Sequence, residues 1–294
     1  MKIRIVHEFA PRASWWCIAP SVIVLAIFFS AYFLLVQTSL LHQVPGQLEV
    51  KGPLTVENFT RFLKMPSEWR VLLQTIKNAA GLTVAAVIIG FPLSFTVVRA
   101  QTRLRRFLIG TFVLTLLSGT MTRAYAWLII LGNKGVINAT LVRFGIIDTP
   151  LHMIYSNIAV SISLVHYILP FFVLTMIGSL KNVPRSLEES AVSLGASRSS
   201  AFWHVTLPLA LPGILASSAL SFSIAVSSFL FPLLLGGGRV RFVSNEIYDL
   251  IFVAFDLPLA AATAFVFLLT SLSAILAFST LHRFAGGRLN RRGN

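Results

Sequence analysis

The chain has 294 residues, of which 56% are hydrophobic and only 12% charged, with a mean hydropathy of +0.81. Soluble domains carry about a quarter charged residues, so this composition excludes an ordinary soluble fold and defines a membrane protein. The formal net charge of +14 would point to nucleic acid if the basic residues formed one patch on a soluble fold, but they are dispersed between apolar runs.

The first apolar segment, Trp15 to Val36, holds no charge and is too long for the hydrophobic part of a signal peptide. A membrane-spanning helix needs about 20 apolar residues, because lipid offers the backbone no hydrogen-bond partners. Six runs meet that length: 15–37, 76–98, 107–131, 153–180, 209–235 and 257–282. None alternates as a barrel strand does, so the expected fold is all-α with six transmembrane helices. The single cysteine, Cys17, excludes an internal disulfide and reads as a buried thiol near the start of the first span.

The loops between these runs set the orientation. With the N-terminus in the cytoplasm, the inside segments 1–14, 99–106, 181–204 and 283–294 hold 14 of the 24 Lys and Arg. The outside segments 38–70, 123–152 and 236–256 hold nine over many more residues. Seven of the ten acids fall outside. The positive-inside rule therefore places both termini in the cytoplasm, with the basic loops facing anionic lipid. The expected organisation is a cytoplasmic N-terminus 1–14, a transmembrane domain 15–282 with a loop at 181–208, and a basic tail 283–294.

Within the third run, Arg123 interrupts the apolar sequence and is expected as an anchor at its outer end, where the guanidinium can reach the interface, with substrate contact as the alternative. Tyr125 and Trp127 follow it. His166 lies near the middle of the fourth run, beside Tyr167, with no acid at similar depth; a neutral imidazole bonded to a neighbouring helix is expected. The fifth run carries Ser217, Ser218, Ser221, Ser223, Ser227 and Ser228, small hydroxyl residues that pack helices closely or line a polar path. Pro232 and Gly236 to Gly238 mark a flexible outer end.

The loop at 181–208 reads like a soluble elbow. A first helix starts at Pro184 or at a Ser186–Glu189 capping box, with Leu187, Ala191 and Leu194 on one face. Gly195 can turn left-handed to end it, and Ser197 can cap a second helix before Pro208 and Pro212.

Glu189-Ser190-Ala191, then Gly195, then Val205-Thr206-Leu207-Pro208 resembles the EAA loop of ATP-binding-cassette importer permeases, with Ser190 in place of one Ala of that pattern. The resemblance implies the type I importer permease fold, with a cytoplasmic coupling helix between spans four and five. It implies that Glu189, Ser190, Ala191, Leu194, Gly195, Ala196, Leu207 and Pro208 form the coupling element that meets an ATPase subunit. Glu189 is then either the charged contact or a cap on its own helix. No G-x-x-x-x-G-K-[ST] phosphate loop occurs, and Gly-Asn-Lys-Gly at 132–135 does not match it, so ATP and Mg belong to a partner chain and this chain binds no cofactor.

The stretches RAYAWLIILGNKGVINATLVRFGIIDTP, SNIAVSISLVHYILPF and NEIYDLIFVAFDLPLAAATAFVFLL look closest to spermidine/putrescine-type permeases. That resemblance implies a bacterial inner-membrane importer with a second homologous permease or a second copy of this one. It also implies a pair of ATPase subunits and an external solute-binding protein. A polyamine cargo would draw on carboxylates, aromatic faces and hydroxyls. Tyr125, Trp127, His166, Tyr167, Ser221, Ser228, Asp249 and Asp256 are the candidates for the pathway, with Glu246 and Tyr248 beside the last two. Phosphonates, other organic ions or metal chelates are the alternative cargoes. An intramembrane enzyme would require catalytic groups converging on His166, and a secondary transporter would require buried ionisable groups for ion coupling.

Overall fold

In this computed structural model, the backbone is described for residues 11–43 and 53–290 and the side chains for 19–43 and 53–277. The Cys17 side chain and the basic residues of the two termini, Lys2, Arg4, Arg12, Arg283, Arg288, Arg291 and Arg292, therefore lie outside the described side chains. The described residues are helical almost throughout and include six helical segments long and apolar enough to cross a membrane.

One of the chain's two compact units comprises residues 1–65 and 249–265. Its first helix, α1 (Pro11–Ser39), leaves the consecutive residues Val22, Ile23, Val24 and Leu25 exposed, which no single apolar stripe would do. A helix apolar all round suits lipid rather than water. Its end is tied down by α2 (Glu57–Lys64): the buried Asn58 amide donates to Ser39 O at 2.9 Å and to Leu41 O at 2.8 Å. These are carbonyls that the end of α1 leaves without intrahelical donors. Asp256 accepts from the Leu259 backbone N–H at 3.1 Å and pairs with Arg61 at 2.8 Å.

The larger unit, 66–248 with 266–294, begins with α3 (Pro66–Arg99), whose 34 residues reach about 50 Å. Next come α4 (Thr102–Leu117), α5 (Thr120–Leu131), α6 (Val136–Arg143) and α7 (Asn157–Leu180). The elbow follows as α8 (Arg185–Ser193) and α9 (Arg198–Ala201), then a π-helical turn, Phe202–Thr206. Beyond it are α10 (Leu207–Val226), α11 (Leu230–Gly236) and the start of α12 (Val243–Phe252), whose last residues belong to the smaller unit; α13 (Leu257–Asn290) starts in the smaller unit and ends in this one.

The core of this unit is the seam where α3, α7 and α10 meet. Small residues let the helices approach: a Cβ on Gly90 would lie 2.4 Å from the Phe172 ring, and one on Gly213 would lie 2.3 Å from Ser179 Cβ. Without a hydrophobic drive between helices in lipid, such close backbone packing supplies much of the association energy. Ser217, Ser218 and Ser221 are buried in α10, while Ser223 and Ser227 bond back to Ala219 O and Ser223 O of their own helix at 2.9 and 2.8 Å.

Two expected spans are broken. The run 107–131 is two helices, because Ser118 (ψ 131°) and Gly119 (ψ 145°) are both extended. The membrane-length segment there is instead 120–143, formed by α5 with α6. The run 209–235 breaks at 227–229, and the carbonyls released there are taken by the following segment. Ser244 Oγ donates to Ser228 O at 2.6 Å, and Asn245 Nδ2 donates to Phe229 O at 3.2 Å. The fourth span starts at Asn157 rather than 153, where Ser156 Oγ accepts from the Ala159 N–H at 3.3 Å.

Candidate functional site

The elbow is built as the sequence suggests in two respects. Gly195 has φ +93°, a conformation that a Cβ would strain, and Ser197 Oγ accepts from the Ser200 N–H at 3.1 Å to cap α9. It differs in two others. Pro184 is the residue before α8 and no Ser186–Glu189 capping box forms. The second helix does not stop at the prolines: α9 passes through the π turn straight into α10, so Pro208, which has no N–H to donate, falls inside the continuous helical run just after the π turn.

The two adjacent glutamates diverge because neighbouring helical positions point about 100° apart. Glu189 is exposed. Glu188 turns inward, accepts an ion-paired hydrogen bond from Arg99 Nη2, and takes a second from Thr206 Oγ1 at 3.3 Å. Arg185 Nη2 also donates to the Arg99 carbonyl at 3.2 Å. The Arg99 guanidinium lies 5.0 Å from the Phe95 ring centre, and Phe95 meets Phe202 edge-on at 5.6 Å. Arg99, Glu188 and Thr206 were missed by sequence reasoning; a basic residue ending the second span was the available signal.

Arg99, Glu188, Glu189, Val192, Ser193 and Arg198 line a groove of about 410 Å³. Beyond it, Leu187, Val192 and Trp203 are exposed and Leu194 is 89% exposed. Ser190 and Gly195 are also exposed, while Ala191, Ala196, Leu207 and Pro208 are half-buried. An open groove with both charges, rimmed by apolar side chains, has the makings of a protein contact rather than a catalytic centre.

The pathway candidates separate into five places. Tyr167 and Ser228 come together in a cavity of about 390 Å³, with Thr120, Ser227, Phe229 and Phe231. Trp127 and His166 face a second, almost wholly apolar groove of about 400 Å³ with Ile89, Ile162, Val165 and Leu169. The Trp127 indole donates to His166 Nδ1 at 3.2 Å. An indole N–H can only donate, so that nitrogen accepts and the imidazole is neutral with its proton on Nε2. Tyr125 is half exposed on α5, and Ser221 is fully buried in the helix seam, not at either cavity. Asp249 and Asp256 belong to the smaller unit, and Asp256 has both oxygens occupied by Arg61 and by the start of α13. Its role there is structural. Glu246, in the larger unit, lies 3.3 Å from Arg241, and Tyr248 stacks on Phe229 at 5.3 Å.

Arg123 is not an outer anchor. It lies in the first turn of α5 and is 8% exposed, with its guanidinium 4.7 Å from the ring centre of Tyr167, close to the middle of α7. Nη2 donates at 2.8 Å to the carbonyl of Ser118, freed by the break between α4 and α5. Nε and Nη1 are buried without a hydrogen-bond partner. The break that splits the third run thus supplies an acceptor for its arginine, and the stacking on Tyr167 adds a cation–π contact.

This architecture of membrane-length helices, with a polar elbow before α10 and a cavity at its far end, is that of a transport permease. The chain belongs to the family of binding-protein-dependent transport system inner membrane components, whose model matches residues 107–284. It is thus the multi-pass permease component of an ABC importer, and ATP hydrolysis falls to a separate subunit.

Among its relatives, the spermidine/putrescine transport system permease protein PotB of Haemophilus influenzae is 31% identical, over 82% of each chain. PotB of Escherichia coli is 32% identical over 73% of this chain and 78% of its own. The molybdenum transport system permease protein ModB of Mycobacterium bovis is 31% identical over 65% and 71%. The fold matches a chain of the bacterial alginate ABC transporter solved with an alginate-bound periplasmic protein, at TM-score 0.72 and 18% identity, covering 92% of this chain and 94% of that one. It also matches a chain of the MetNI methionine ABC transporter, at TM-score 0.53 and 15% identity, over 74% and 94%.

Proposed function

We propose that the exposed face of α8 docks an ATPase subunit in the cytoplasm, that both termini lie on that side, and that the chain imports a polyamine. The observation that carries the docking is the elbow itself. Glu189, Leu194 and Val192 stand exposed around a groove, while the adjacent Glu188 is used internally. Coupling then involves Glu189, Ser190, Ala191, Leu194, Gly195 and Ala196, with Leu207 and Pro208 joining the elbow to α10. The Lys and Arg bias supports the orientation, with segments 1–14 and 283–294 as basic cytoplasmic ends against anionic lipid. Nucleotide and Mg act on the partner. A second permease, homologous or identical, faces this one across the pathway, and an external binding protein delivers solute.

Likeness to the PotB proteins supports spermidine or putrescine as cargo. Tyr167 with the hydroxyls of Thr120, Ser227 and Ser228 offers the ring face and acceptors that an ammonium group uses. The test is the complete complex, with its ATPase and binding protein, in proteoliposomes. Spermidine or putrescine should accelerate ATP hydrolysis and accumulate inside; absence of stimulation by either removes the polyamine assignment. Glu189→Lys should stop uptake while the complex still assembles, and normal uptake by that variant would sink the docking role.

Arg123 favours a second reading, an anion-bearing cargo such as a phosphonate. Its two unpartnered buried donors repel a cation and would welcome a carboxylate or phosphonate oxygen. On this reading a phosphonate, and not spermidine, stimulates the complex, and Arg123→Gln lowers that stimulation about tenfold or more, the scale of a charged hydrogen bond.

A further inference from the structure

We propose that Arg99 and Glu188, closed by Thr206, form the joint that passes displacement of α8 into α3 and α10; this rests on the reading of α8 as the ATPase-docking segment. The reason is what α8 lacks. No residue of α8 is buried, so apolar packing does not lock it to the helices that form the core. Its ties to α3 run through two side chains, Glu188 to the Arg99 guanidinium and Arg185 to the Arg99 carbonyl. Arg99 is the last residue of α3, and Thr206 is the last of the π turn that leads into α10. One carboxylate therefore grips the ends of two of the three core helices.

The joint is stiff on the side of the core and free on the other. Arg99 lies over Phe95, which meets Phe202, so the pair is backed by an aromatic cluster. The pair itself is about three-quarters shielded, with side-chain exposures of 26% and 22%, so water screens it less than a surface ion pair. Beyond α8, Gly195 gives the chain a left-handed turn where α8 can swing relative to α9. Arg99 and Glu188 also line the groove that holds Glu189 and Val192. A partner seated in that groove presses on the joint directly, and the load passes to α3 and α10 together. Arg99 and Glu188 are positioning residues, because they act on the pathway through the helices they hold.

The test uses the complete complex in proteoliposomes, with Arg99→Glu, Glu188→Arg and the double charge swap. Two readouts are taken. The first is spermidine uptake per ATP hydrolysed. The second needs no cargo: the distance between spin labels at Ser186→Cys in α8 and Ile88→Cys in α3, in a Cys17→Ser background, before and after vanadate trapping with ATP. In the wild type that distance should not change on trapping, because α8 and α3 move as one. Because Arg99 and Glu188 line the groove, ATPase binding by each reversal is measured first, and both readouts are taken on the assembled complexes. Uptake per ATP should fall about tenfold and the label distance should shift on trapping. The swap should restore both. Single variants that match the wild type in both readouts overturn the joint, as does a swap that stays as poor as the singles. If a reversal fails to assemble, Arg99→Gln and Glu188→Gln take its place under the same criteria. If the wild type takes up no spermidine, the label distance decides alone. Failure of the wild-type chain to bind the ATPase overturns the docking reading, and the joint with it.

Discussion

The two ends of α10 handle the same problem, a helix that must begin or stop among polar groups, in opposite ways. At its start, Thr206, Glu188 and Arg99 satisfy one another, and the chain runs unbroken from α9 through a π turn. At its far end the helix breaks at 227–229, where Ser244 and Asn245 take two of the freed carbonyls, and Arg123 nearby keeps two donors unmet beside Tyr167. The first end is complete without help and presents a neighbouring face for a partner. The second contains a cavity and a buried charge whose needs this chain does not fill. Where polar groups are partly wet, leaving one open costs little; at membrane depth an open donor is expensive.

The strongest way to break this contrast is to disturb what both ends depend on, the seating of α10 against α7. Gly213→Leu should abolish folded permease, since even a Cβ there would stand 2.3 Å from Ser179 Cβ; recovery of normal amounts of monodisperse protein in detergent would show that the seam is looser than described. Next comes Asn245→Ala at the far end. It removes a donor to Phe229 O and the acceptor for the Phe242 N–H, so unfolding by heat should show a loss of about 1–3 kcal/mol. An unchanged melting temperature would mean that water replaces the amide and the break is not sealed by α12. At the elbow, Gly195→Ala should cost about 1–2 kcal/mol of local strain at φ +93°. Because no other atom lies within contact distance, this should appear as weaker ATPase binding rather than lost fold, measured by co-purification. Smallest is Thr206→Val, which drops one hydrogen bond at 3.3 Å while Arg99 still holds Glu188. Uptake per ATP should fall about twofold to fivefold, in line with a net hydrogen bond of about 0.5–1 kcal/mol. A larger loss than that of Arg99→Gln would move the centre of the joint to α10.

Much of the elbow was legible locally. Gly195 and Ser197 do what their residue types do anywhere, a left-handed turn and an N-cap, because those features depend on neighbours within four residues. The capping box was not legible, because Ser186 and Glu189 fit the pattern while Glu188, one position away, is drawn to Arg99 across 89 residues of chain. At the cavity, Tyr167 and Ser228 could be nominated from their types, but Asp256 and Ser221 could not be rejected. Asp256 is consumed by Arg61, and Ser221 lies in the seam of α10, and neither fact has a sequence signal.

The sequence by itself determined that the chain crosses a membrane as helices, how many membrane-length runs it has, and which of its loops looks made for a soluble partner. Those properties follow from hydropathy and from short-range backbone chemistry, which need no partner distant in the chain. Only the tertiary structure decided where two of those runs break, that Arg123 is buried against Tyr167, and that Glu188 and not Glu189 ties the elbow to the core. Each of these depends on which carbonyl, ring or guanidinium the fold brings alongside. The helix break at Ser118 frees a carbonyl that Arg123, five residues on, takes as its acceptor.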